Sequence, residues 1–248
     1  MQLCFKLPIA SQSAKNACWL HAIATILCAG SNRSIKLRRE TRLLSERIDQ
    51  AFEAGFVRNN TEHQGISPAN FKAVYEAQGF ERIHRSKLEE LMINPKQFSE
   101  GHLSDLLNEF GPLIFVRPAR GQGFHAQPIM GAAINPDKQQ SQGVELLAIE
   151  TPTGKIEFIA PDELYAFSLD FETEQDRGTQ NVMGLWYYSK FHNNTASISK
   201  LSDEKILMLA KKIPGQPYTA SPLSSDPSEA ATDDSATSSS DSTPRRPS

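Results

Sequence analysis

Between Ala17 and Ala29 almost every position is apolar: Ala17, Trp19, Leu20, Ala22, Ile23, Ala24, Ile26, Leu27 and Ala29. A helix that is apolar all round is a buried one, so this stretch predicts a central helix. Asn16 is placed to cap its start, because a side-chain oxygen there takes an orphan backbone N–H. Gly30 is placed to stop it, since glycine enters the left-handed conformation without strain. From Lys36 to about residue 54, Leu37, Leu43, Leu44, Ile48 and Phe52 keep a helical stripe. Its basic run, Lys36 to Arg42, is interleaved with Glu40 and followed by Glu46 and Asp49, which reads as a solvated face. Ser67-Pro68 opens a further helix with Phe71, Val74 and Tyr75 on its apolar side, and Gly79 ends it. Ser104 is expected to cap a helix running through Phe110, stopped by Gly111-Pro112.

The period then changes. Leu113 to Arg117 is a short apolar run between Pro112 and Pro118, which argues for a strand. A glycine loop, Ala119 to Gly123, leads into a second strand from Phe124 to Ile134, with Pro128 an awkward residue in its middle. After the turn at Asn135-Pro136-Asp137, Val144–Glu150 and Lys155–Ile159 read as a hairpin across Thr151-Pro152-Thr153-Gly154. Asn181 to Phe191 supplies a late strand. Ser202 caps one more helix, with Ile206, Leu207, Leu209, Ala210 and Ile213 as its apolar side. Helices first and an antiparallel sheet afterwards define an α+β chain.

From about Pro214 the composition shifts to Ser, Thr, Pro, Ala and Asp, and no aromatic residue follows Tyr218. Such a segment buries too little apolar surface to offset its chain entropy. The expected organisation is therefore a folded domain over residues 1–213 and a disordered tail over 214–248. The whole chain has 26 basic and 29 acidic residues, a formal charge of −3. Asp226, Glu229, Asp233, Asp234 and Asp241, set against Arg245 and Arg246, account for all of it. The folded part is then neutral on balance, which removes any bulk electrostatic case for nucleic acid or an anionic membrane.

Three cysteines in 248 residues make no disulfide framework and point to a reducing compartment. The N-terminus has neither the basic region nor the apolar run of a signal peptide, and no stretch approaches the roughly 18 apolar residues of a membrane span. A cytoplasmic protein is expected, or one exported by a specialised system without a cleaved signal. Metal-ligand spacing, a phosphate-binding glycine motif and a Gly-x-Ser-x-Gly elbow are all missing. No metal and no cofactor are expected.

What remains is cysteine chemistry. Cys18 falls in the first turn of the central helix, where the dipole and unpaired N–H groups favour a negative charge and hence the nucleophilic thiolate. Cys4 and Cys28 read as small buried hydrophobes. A cysteine nucleophile needs a base, a group to orient that base, and donors for the oxyanion. His125, at the head of a strand after the glycine loop, is the candidate base. His21, one turn along from Cys18, competes with it, although a packed role suits His21 better. His63, His84, His102 and His192 read as surface residues. Glu150, at the end of its strand, is the candidate orienting carboxylate, with Glu145 and Asp137 as competitors. Gln12, six residues before Cys18, can offer its amide to the oxyanion beside the Cys18 N–H.

These residues resemble the papain-fold cysteine proteases, and more closely the compact bacterial members that include secreted effector proteases and the peptidase domains of bacteriocin exporters. Gln12, Cys18 and Trp19 are similar to the family's oxyanion glutamine and nucleophile. Gly111-Pro112-Leu-Ile-Phe-Val, with His125-Ala126 and Gly131, resembles the block around its base. Glu150-Thr151-Pro152-x-Gly154 stands where that group has its Asp-Pro segment. The likeness spans about Leu7 to Leu164 and departs at Lys15, Asn16 and Glu150, the last replacing the usual Asp. The separation of 107 residues between Cys18 and His125 suits the compact form.

The resemblance implies a papain-like α+β fold, helical N-terminal half against antiparallel sheet, with the site between them. It implies a thiol protease acting on a protein or peptide substrate, with Cys18, His125, Glu150 and Gln12 as the machinery. Specificity is expected in the cleft segments Val57 to His63 and Phe167 to Gly178. A deamidase, acyltransferase or peptidoglycan amidase on the same fold, an inactive binding module, and an adaptor with a docking tail are the alternatives.

Overall fold

Leu113–Pro118 (β3) and Phe124–Ile134 (β4) form the middle of a seven-stranded antiparallel sheet in a computed structural model of the chain. The structure describes residues 2–31, 33–62, 65–90, 100–119, 123–135, 144–160 and 182–213, all within one unit ending at Gly215. The other strands are Leu3–Cys4 (β1), Phe80–Arg82 (β2), Val144–Glu150 (β5), Lys155–Ile159 (β6) and Gly184–Tyr188 (β7). Their order is β2-β7-β3-β4-β5-β6, and β1 pairs with the far half of β4. Seven α-helices are described: Cys18–Leu27 (α1), Ser34–Ala51 (α2), Phe56–Glu62 (α3), Pro68–Ala77 (α4), Arg85–Glu90 (α5), Glu100–Phe110 (α6) and Asp203–Ala210 (α7). The expected α+β class holds, with all but one of these helices preceding β3.

The inner strands β3, β4, β5 and β7 read as largely apolar runs because both faces of the sheet are covered there. Ile114, Val116, Ala126, Met130, Leu147, Ile149 and Trp186 enter one core with α1, α2 and α4. Leu113, Phe115, Ile129, Leu146, Ala148 and Leu185 enter another with Leu103, Leu106, Leu107 and Phe110 of α6. Alternate residues of β3 thus serve two different cores, the period-2 geometry of a strand. A register shift between Ile129 and Gly131 bends β4 where β1 joins it. A side chain at Gly131 would collide with Leu3, its Cβ only 2.2 Å from that carbonyl oxygen.

Helix α1 is buried from Trp19 through Ile26, as its all-apolar sequence requires. Two expected caps are corrected. Ala17, not Asn16, occupies the N-cap of α1, and no side-chain cap bond forms there. Asn16 instead takes a left-handed backbone, φ 61°, a conformation its short polar side chain tolerates. Ser104 does not begin a helix: α6 starts at Glu100, and Ser104 is a buried interior residue. By contrast, Ser67 caps α4 as expected, its Oγ accepting from the Asn70 N–H at 3.2 Å. On α7 the buried side chains are Ile206 and Ala210, while Leu207, expected on the apolar face, is exposed.

The β5–β6 hairpin forms as predicted, with residues 151–154 as its turn. The late strand is shorter than expected: β7 ends at Tyr188 and the chain turns into a 3-10 helix over Ser189–Phe191. Residues 120–122 of the glycine loop, 161–181 and 214–248 lie outside the described residues, and with them the specificity segment Phe167 to Gly178 and the expected tail. So does Asp137. Among the described residues no helix is long and apolar enough to cross a membrane.

Candidate active site

Three separated parts of the chain meet at His125. The residue opens β4, and Glu150 closes β5, the next strand in the sheet. His125 Nε2 lies 3.3 Å from Glu150 Oε1, with both side chains largely buried. This is an ion-pair contact without hydrogen-bond alignment, for Nε2 has no well-directed acceptor among its neighbours. Cys18, at the head of α1, is the other group that acts on the imidazole, by contact and by charge.

Burial pulls the His125 imidazole down, but Cys18 and the Glu150 carboxylate outweigh it and push it up to about 9. Burial likewise raises the Glu150 carboxyl. The His125 contact, then Arg117 and the Gln127 amide, more than offset that, holding it below its ordinary value. Each member of the pair therefore favours the other's charged form.

The packing around these side chains comes from aromatic residues. Tyr75, wholly buried on α4, donates its hydroxyl to the Trp19 carbonyl in the first turn of α1 at 3.2 Å. Phe71, one turn back on α4, stacks on Tyr75 and meets the edge of Phe124, the neighbour of His125. One helix thus braces both the turn that carries Cys18 and the strand that carries His125.

Gln12 belongs to a loop pinned to the turn after Glu150: its N–H donates to the Thr151 carbonyl at 2.7 Å. Gly154, at φ 66°, packs against the same loop, and a Cβ there would sit 2.5 Å from the Ser11 nitrogen. His21 secures the loop from the other side, its buried Nε2 2.9 Å from the Ala10 carbonyl. Burial lowers the His21 imidazole and leaves it neutral, the packed role expected of it. The Gln12 Oε1, Trp19 Nε1 and Thr151 Oγ1 atoms are buried without a protein hydrogen-bond partner. Orphaned polar atoms are rare in folded chains, and here they collect on the residues around Cys18, Gln12 and Glu150.

The competing candidates separate cleanly. Glu145 is buried toward the other end of β5 and accepts from the Asn135 amide. Burial pushes the Cys4 thiol up to about 12. Burial, with the Glu40 charge adding to it and Lys36 opposing, pushes Cys28 up to about 11. Cys18 is the more accessible of the three thiols. His192 is less of a bystander than its sequence suggests: it stacks flat on Phe110 and sits 3.5 Å from Glu109.

Sequence reasoning missed the polar layer behind Glu150. Gln127, with no exposed surface, contacts Glu150, Arg117 and Glu157. The signal was the alternation Phe124-His125-Ala126-Gln127, which places two polar side chains on one face of an otherwise apolar strand. Among the described residues no group of three or more His, Cys, Asp or Glu is placed to hold a metal ion. No protein-family model matches the chain. No curated protein matches it either.

Proposed function

We propose that this chain is a papain-like cysteine protease, with Cys18 as nucleophile, His125 as its base and Glu150 orienting the imidazole. The observation that carries the reading is His125 between Cys18 and Glu150, three groups contributed by a helix start, a strand start and a strand end. A thiol, an imidazole and a carboxylate in that order form the activated-nucleophile arrangement.

In this reading the Cys18 sulfur attacks a peptide carbonyl carbon, forming a C–S bond and an oxyanion. The N–H groups at the head of α1 and the Gln12 amide hold that oxyanion. The helix start supports this role because no side-chain cap occupies it. His125 gives its proton to the leaving amine as the C–N bond breaks. It then takes a proton from water, which attacks the thioester, releases the acid and restores the thiol–imidazole pair.

The test is mass-spectrometric substrate profiling with wild type against Cys18→Ala. New peptide termini that vanish in the variant support a protease. Cysteine-dependent loss of side-chain amides without new termini points to a deamidase, and cleavage confined to cell-wall peptides points to an amidase. Identical profiles with and without the thiol overturn the reading.

A further inference from the structure

Glutamate at position 150 has one more rotatable bond than the aspartate of the group this chain resembles, so something must hold its carboxylate in register with His125. Arg117, His125, Gln127, Glu150 and Glu157 share one face of the sheet by register. Arg117 lies opposite His125, Gln127 follows two residues on, and Glu157 lies opposite Ala148, two residues before Glu150. At the centre of the group is Gln127. Its Nε2 donates to Glu150 Oε2 at 2.8 Å and also to Glu157 Oε1. Its Oε1 accepts from Arg117 Nε at 2.7 Å. Arg117 Nη2 adds an ion pair to Glu157 at 3.4 Å.

This pattern leaves the amide one orientation. Turned over, its oxygen would face two carboxylates and its NH2 a guanidinium, each contact repulsive. Both amide protons are used, and the side chain is fully buried, where an unmade bond is costly. The two oxygens of Glu150 are then divided: Oε2 is held by Gln127, and Oε1 is the one that meets His125.

The charges balance in the same sense. The groups facing Glu150 are His125 and Gln127 from β4, Arg117 from β3 and Glu157 from β6, with Cys18 of α1 beyond the imidazole. Lys155 pairs with Glu150 in register. Glu150 and Glu157 are matched by Arg117 and a protonated His125, so the layer favours the imidazolium.

We infer that Gln127 is a positioning residue that clamps Glu150, with Arg117 setting its amide, so that a glutamate can do the orienting work at this site. The inference rests on the reading of Cys18, His125 and Glu150 given above.

The test follows the His125 ring by NMR titration in the full chain, for wild type, Glu150→Gln, Gln127→Met and the double variant. Removing an opposite charge from its contact lowers an imidazole midpoint by about one pH unit. Glu150→Gln should show that fall, Gln127→Met should show most of it, and the double variant should fall no further than Glu150→Gln alone. Gln127→Asn, which keeps the amide but withdraws it by one methylene, supplies the same readout if the methionine variant does not fold. A wild-type midpoint in a folded Gln127 variant, beside a lowered one in Glu150→Gln, overturns the inference and leaves the protease reading standing. Two independent, additive falls also overturn it. A wild-type midpoint in Glu150→Gln itself overturns the assignment of Glu150, and the clamp with it.

Discussion

His125 Nε2 and Glu150 Oε1 sit 3.3 Å apart at the same end of neighbouring strands, the imidazole raised to about 9 and the carboxyl held below its ordinary value. Their strands pair in register from Ile129↔Ala148 onward, so the contact is made just past the last paired rung. The sheet sets the distance, and the side chains close it.

Removing the charge of Glu150 should therefore cost both activity and pH-dependent stability. Glu150→Gln is expected to lower kcat/KM on a cleaved peptide by about 10²-fold, the scale of general acid–base assistance. The signs for stability follow from linkage. The raised imidazole contributes fully below its ordinary value of 6.5 and loses that contribution as pH rises through about 9. The lowered carboxyl contributes above its ordinary value of 4.5 and loses it as pH falls through the folded-state value. Thermal melts across pH should show the largest gap between wild type and variant between 4.5 and 6.5. The gap should close toward pH 10. A gap that is flat with pH would show that the contact carries no ionic component.

The three thiols should be chemically unequal. At pH 7 a thiol raised to about 12 is ionised to roughly one part in 10⁵ and one at about 11 to roughly one in 10⁴, and the thiolate is the reacting form. Iodoacetamide on the native protein, followed by peptide mapping, is expected to label Cys18 first, with Cys4 and Cys28 reacting only on unfolding. Equal labelling rates at Cys18 and Cys28 in the native state would remove the chemical distinction on which the site is built.

Much of this was legible in the residues, and the misses share a cause. The buried α1, the Ser67-capped α4 and the β5–β6 hairpin follow from apolar periodicity and turn chemistry, which act over a few residues. His125 and Glu150 could be nominated because each ends or begins a strand. Their contact depends on the β4–β5 register, which periodicity alone does not set. Asn16 was misread as a cap because its side chain suits two local roles, and the loop geometry selects the left-handed one. Ser104 suits a cap by type but falls inside a helix that begins four residues earlier. The Gln127 layer was invisible for a different reason. Arg117, Gln127 and Glu157 are up to 40 residues apart, and only the folded sheet places them together.

Gly154 should be intolerant of a side chain. Its φ of 66° strains any residue with a Cβ, and that atom would press on Ala10 and Ser11, 2.6 and 2.5 Å away. Because the same loop carries Gln12, Gly154→Ala is expected to do two things. Urea unfolding should report a loss of about 2 kcal/mol, within the range for an overpacked contact. Peptide turnover should fall by more than the loss of folded protein explains, since Gln12 moves with the loop. Unchanged turnover in the folded fraction would separate Gln12 from the reaction.

The two histidines near Cys18 can be told apart by what each holds. His21 is neutral, buried and bonded to the Ala10 carbonyl at 2.9 Å. His125 is instead raised by Cys18 and Glu150. His21→Leu leaves that carbonyl without its partner, so a stability loss of about 1–3 kcal/mol is expected, with selective alkylation of Cys18 retained. His125→Ala should differ on both counts: a stability loss that fades toward pH 10, where the pair with Glu150 loses its charge, and loss of the rate advantage of Cys18 over an ordinary thiol near pH 7. Paired measurements of unfolding midpoint and alkylation rate on the two variants decide the matter. If His21→Leu abolishes the rate advantage and His125→Ala preserves it, the base has been misassigned, and the reaction would have to run between two residues one turn apart on the same helix.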